Sequence, residues 1–172
     1  MHADSTDAGA PVADEYLRNN AEYAKIFVTG SLPLAPAKRM AVVSCMDSRL
    51  DLYGILGLRA GDVHVIRNAG GVVTDDVMRS LVISQRLLGT SEIVLVHHTD
   101  CGMLTFTDEA LRAVLKAETG HMPSYAFHAF DDLAADIRDG IAHIKADPHL
   151  PHRDRIRGFI FDVDTGKLSE VS

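Results

Sequence analysis

Cysteine is scarce in this chain of 172 residues: there are two, Cys45 and Cys101. Two thiols cannot build a disulfide framework, so a packed core has to hold the fold, and the chain is long enough to bury one. Long apolar runs are missing too. No stretch approaches the roughly 20 residues that cross a bilayer, which excludes a helical membrane protein. The opening segment, Met1 to Tyr16, has neither the basic start nor the apolar stretch of a secretory signal, so a cytoplasmic protein with reduced thiols is expected. Lys/Arg runs are absent as well. With 17 basic and 24 acidic side chains the net charge is −7, and phosphate surfaces repel such a chain, so neither a nucleic acid nor an anionic membrane is the expected partner. There is no internal repeat and no low-complexity segment. The glycine fingerprint GxGxxG is also lacking, which removes dinucleotide binding from consideration.

What is present alternates. Residues 1–12 are small and polar and read as a frayed tail, leaving 13–172 as a single domain. From about 13 to 28, Tyr16, Asn20, Tyr23 and Phe27 recur at helical spacing, which predicts an amphipathic helix with an aromatic stripe. Pro33 and Pro36 prevent its continuation. Apolar runs at 40–44, 63–66, 93–96 and 156–161 then predict strands, the first three without period-2 alternation, as suits strands covered on both faces. Helical patterns fall at 51–58, 75–88, 107–118 and 130–146. The second has Thr74 as its cap, Asp75 and Asp76 in its first turn, and Gly89 past its end. The chain closes with a strand, a turn at 164–166 and a short strand back. The fold class expected is α/β: a mainly parallel central sheet flanked by helices, with a short antiparallel strand at the C-terminus.

In an open parallel sheet, ligands bind beyond the carboxyl ends of the strands. Cys45 closes the first strand, and His98 with Cys101 follows the third. If these strands are neighbours, two thiols and an imidazole meet at one edge. That Cys₂His set leaves the fourth position of tetrahedral zinc free, which is how catalytic rather than structural zinc is held. Taken singly, either cysteine is as well explained as a buried apolar thiol. The surrounding residues argue otherwise: Cys45-Met46-Asp47-Ser48-Arg49 places an acid and a base at the edge of the metal. Asp47 is the natural acceptor for a proton of zinc-held hydroxide, and Arg49 holds Asp47 by a fork of charged hydrogen bonds. Backbone N–H groups near Cys101 and Gly102 suit the stabilisation of developing oxygen charge, with Gly102 permitting close approach. Two thiolates cancel the charge of Zn²⁺, so activity is expected to rise toward alkaline pH. His97 points away from His98 if the strand continues through both, and none of the nine histidines stands out as a proton shuttle. Asp100 suits a local turn cap or the orienting of a neighbour. The alternatives are a Cys45–Cys101 disulfide, a structural metal, or thiols that sense redox state.

Cys45-x-Asp47-x-Arg49 followed by His98-x-x-Cys101, with "RNAGG" at 67–71 between them, resembles the β-class carbonic anhydrases, and its compactness resembles their prokaryotic branch. The resemblance covers roughly residues 38–105. It implies a lyase with one Zn²⁺ per chain, held by Cys45, His98 and Cys101, that hydrates carbon dioxide reversibly to bicarbonate through zinc-bound hydroxide. It also implies closed states in some members, with Asp47 as a fourth ligand, and a homodimer or dimer-based oligomer whose N-terminal helix reaches over the partner. Carbonyl sulfide suits the same machinery, and these motifs do not separate the two substrates.

Overall fold

The computed structural model describes residues 12–27, 30 and 32–172, so the expected tail lies outside the described residues except for Val12. These residues divide into two units, one running to Leu32 and the other spanning Pro33–Ser172. The first contains helix α1 (Val12–Ile26). Tyr23 and Phe27, one turn apart, stand with ring centroids 5.6 Å from each other. Tyr16, Leu17, Tyr23, Ile26 and Phe27 are all exposed, so the expected stripe exists as an apolar surface.

The second unit contains the sheet. Its strands are β1 (Met40–Cys45), β2 (Val63–Asn68), β3 (Glu92–His98), β4 (Ile156–Phe161) and β5 (Leu168–Val171), in the order β2-β1-β3-β4-β5. Pairings β1–β2, β1–β3 and β3–β4 are parallel, and β4–β5 is antiparallel. Helices α2 (Leu52–Leu56), α3 (Asp75–Arg86), α4 (Asp108–Thr119) and α5 (Leu133–Ala146) fall within the expected segments to within a few residues at their ends. Thr74 caps α3 through its side chain, and Gly89 takes the left-handed conformation at φ 75°. Strand β3 runs further than its apolar stretch, through both His97 and His98, so the two imidazoles leave opposite faces of the sheet.

The two faces have different cores. Ala41, Val43, Ile93 and Leu95 pack against Val77, Met78 and Leu81 of α3 and Ile144 of α5. On the other face Val42 and Val96 join Leu50, Leu52 and Met103. Helix α5 lies very close to β4 because residue 158 is glycine: a Cβ there would stand 2.1 Å from Ile137 Cγ2. The β4–β5 connection is a tight turn in which Asp162 Oδ1 accepts from the N–H groups of Asp164 and Thr165. Leu81 is fully buried in the first core. Leu81→Ala should lower the unfolding free energy by about 2–5 kcal/mol in urea titration, because the cavity it leaves adds to the lost transfer energy.

Candidate metal centre

The carboxyl ends of β1 and β3 are adjacent, with Ser44 opposite Val96 in parallel register, and buried Ser44 fixes the junction by donating its hydroxyl to Val96 O at 2.8 Å. One residue on, Cys45 leaves β1. His98 ends β3, and Cys101 follows after a two-residue turn in which Asp100 takes φ 54°. The structure brings all three expected ligand residues together: Cys45, His98 and Cys101 are buried, and their ligand atoms lie within 4.8 Å of one another.

The imidazole is oriented by its own backbone. His98 Nδ1 is 2.8 Å from Thr99 O, so the ring proton sits on Nδ1 and Nε2 keeps a bare lone pair. Nε2 is buried and has no hydrogen-bond partner among the described residues. A buried nitrogen acceptor facing two thiols is costly unless a cation takes its lone pair. This donor set, one nitrogen and two sulfurs, fits zinc with one coordination position left over.

The thiols differ. Burial pushes Cys45 up, but without a metal the His98 ring, once it carries a second proton, and the backbone of Asp47 and Gly70 outweigh it and bring the thiol down to about 7. Cys101 is pushed up to about 11 by burial and by the neighbouring Cys45 charge, against the opposing backbone N–H of Met103. The site accepts one negative charge readily and a second only when a cation compensates it.

Asp47 stands at the rim. Arg49 donates to both carboxylate oxygens, Nε to Oδ1 at 3.0 Å and Nη2 to Oδ2 at 2.8 Å, and its backbone N–H reaches Oδ1 at 2.9 Å. These bonds hold the Asp47 carboxyl well below the usual carboxylate range. Oδ2 is also 3.7 Å from His98 Nε2, so the carboxylate borders the ligand triangle. The same guanidinium reaches the next loop, donating to Asp100 Oδ2 at 2.7 Å and Asp100 O at 2.9 Å. Asp100 therefore orients a neighbour and is more than a turn cap; an acid one residue before a ligand cysteine was the available signal, but its partner lies in another motif.

Gly102 opens a short 3₁₀ turn and is exposed, with no atom within 4 Å of the place a Cβ would take. The space beside it is open on that side. Gly71, at φ 73°, is a different case: a Cβ there would stand 2.8 Å from Cys45 N, so that glycine is needed for the close approach of its loop to β1. His97 lies outside the cluster. It is buried, with Nε2 2.7 Å from Asp136 Oδ2 of α5 and its ring stacked on Phe130 at 5.4 Å. Both cysteines are free, so the disulfide alternative is not realised.

A family model described as carbonic anhydrase matches residues 40–149. Beta-carbonic anhydrase 1 of Mycobacterium tuberculosis is 53% identical over 161 residues, covering 94% of this chain and 98% of that protein. The crystal structure of carbonic anhydrase from Streptococcus mutans superposes with a TM-score of 0.90 at 46% identity, covering 95% and 99% of the two chains. A carbon disulfide hydrolase from Acidianus is 32% identical over 179 residues, covering 90% of this chain and 86% of that protein.

Zinc affinity should climb with pH. Cys101, held near 11 without metal, must surrender a proton to bind, so competition with a chromophoric chelator should show at least about a tenfold gain per pH unit between 6 and 8. A flat profile would mean that Cys101 is not a ligand.

Proposed function

The chain belongs to the β-class carbonic anhydrases and is an enzyme of that family, hydrating carbon dioxide reversibly to bicarbonate; from that premise we propose how its own residues divide the work. Cys45, His98 and Cys101 hold one zinc ion per chain. The observation that carries this assignment is the buried, unpartnered Nε2 of His98 facing two free thiols. Bound there, zinc supplies a Lewis acid that makes water a nucleophile near neutral pH.

Asp47 accepts the hydrogen bond of the attacking water and so aims its remaining lone pair at the carbon of the substrate. As the C–O bond forms, one C=O electron pair moves onto oxygen, and the proton released passes to solvent. Arg49 keeps the carboxylate in this role: with both oxygens engaged by its fork, Asp47 is held from turning inward as a fourth ligand. Backbone N–H groups at Cys101–Gly102 face the oxygen on which charge develops, and the open space beside Gly102 gives the substrate room there. Because Arg49 holds Asp47 ionised far below neutrality, titration of Asp47 does not shape the working pH range. The alkaline rise belongs to the water at the thiolate-rich site.

We assign a homodimer as the working unit. The exposed apolar stripe of α1 supports it. Separately, so does a cleft of about 570 Å³ on the second face of the sheet, with Met40, Leu56, Val94, Ile156 and Phe159 in its lining. Among the described residues no helix is long and apolar enough to cross a membrane, and two free, metal-ready thiols fit the reducing cytoplasm.

Stopped-flow hydration of carbon dioxide by zinc-loaded protein should accelerate with rising pH. Asp47→Asn keeps the shape but removes the acceptor charge, and should lower kcat by about a hundredfold or more with zinc still bound. An Asp47→Asn enzyme as fast as the parent would remove Asp47 from the mechanism.

A further inference from the structure

The segment 45–50 carries Cys45, Asp47 and Arg49, yet beyond Cys45 it has neither helix nor strand. Something outside it must set its path. Strand β2 does so at its carboxyl end, where Cys45 lies opposite Asn68 and Ser44 opposite Arg67. Asn68 O accepts the N–H of Met46 at 2.8 Å, which continues the ladder by one step. Beyond that step the ladder stops and a side chain takes over.

Arg67 donates to three carbonyl oxygens of this one segment: Nε to Cys45 O at 2.9 Å, Nη2 to Asp47 O at 2.7 Å and Nη1 to Leu50 O at 3.2 Å. Three carbonyls converging on one point repel each other and need a cation between them. A guanidinium meets that need with donors in a fixed plane, whereas an ammonium is a point charge that does not reproduce the fork. Arg67 forms no ion pair among the described residues, so its charge is directed to these carbonyls. Asp47 is thus gripped twice: Arg49 holds its carboxylate, and Arg67 holds its backbone carbonyl from the opposite element.

We propose that Arg67 is a positioning residue. By fixing the carbonyls of residues 45, 47 and 50 it sets the chain path that places the Asp47 carboxylate at the edge of the ligand triangle. The inference rests on the role given above to Asp47. A purely structural role would lower thermal stability and leave the site as it was.

The test compares Arg67→Lys and Arg67→Gln with the parent, each folded by circular dichroism and loaded with cobalt(II) as a spectroscopic probe. Displacing the Asp47 backbone moves the carboxylate that borders the metal ligands. The visible and thiolate charge-transfer bands of cobalt should therefore shift in both variants. With zinc, kcat should fall on the order of tenfold to a hundredfold with KM little changed, the size of effect that small misplacements produce, and lysine should rescue neither readout. Parental cobalt spectra and rates in either variant, even with a lower Tm, would overturn the proposal, and so would failure of both variants to fold at 25 °C. If the parent itself failed to hydrate carbon dioxide, the proposed function would fall, while the cobalt spectra would still decide the role of Arg67.

Discussion

The site depends on one constraint: β1 and β3 are parallel neighbours whose carboxyl ends lie side by side, within one residue of each other. Parallel strands point their carboxyl ends the same way, and the segments that follow must leave together. Cys45 and His98 occupy the two departure points, and the turn after His98 returns Cys101 to the same place. Ser44 donating to Val96 O locks this junction from inside the core, where a slip of one residue in β3 would turn His98 to the opposite face of the sheet.

A buried cluster of two thiols and a bordering carboxylate is electrostatically unfavourable until positive charge reaches it. The fold supplies that charge in graded form. The backbones of Asp47, Gly70 and Met103 favour the charged form of the thiols. Arg49 neutralises Asp47 and ties its loop to the one carrying Asp100 and Cys101. The result is a site preorganised for a dication, with less to rearrange when it binds. The glycine at 71 serves the same end by geometry, letting its loop approach the Cys45 backbone closely.

Much of this was legible in the sequence because it is local. The capped helix after Thr74, the apolar strands, and the two short motifs that start at the last residues of β1 and β3 each declare themselves within a few residues. The aromatic spacing of α1 was equally readable. What was not legible depends on register between distant segments. The bond from His97 to Asp136 joins positions 39 apart in sequence, and the reach of Arg49 to Asp100 spans 51. Asp108 also illustrates this, gathering the N–H groups of Phe127, His128 and Ala129 to fix a segment that has no periodic pattern. The length of β3 was hidden for a related reason: its last two residues are polar, and their backbone pairing with Ile160 and Phe161 of distant β4 makes them strand.

In the proposed function two cysteines and one histidine hold the metal and leave a position for water. X-ray absorption at the zinc edge of the active protein, at mildly alkaline pH, tests it directly. Two sulfur scatterers near about 2.3 Å, one imidazole and one further light atom are expected. A spectrum with a single sulfur or none, or with four protein nitrogens and oxygens, would contradict the account.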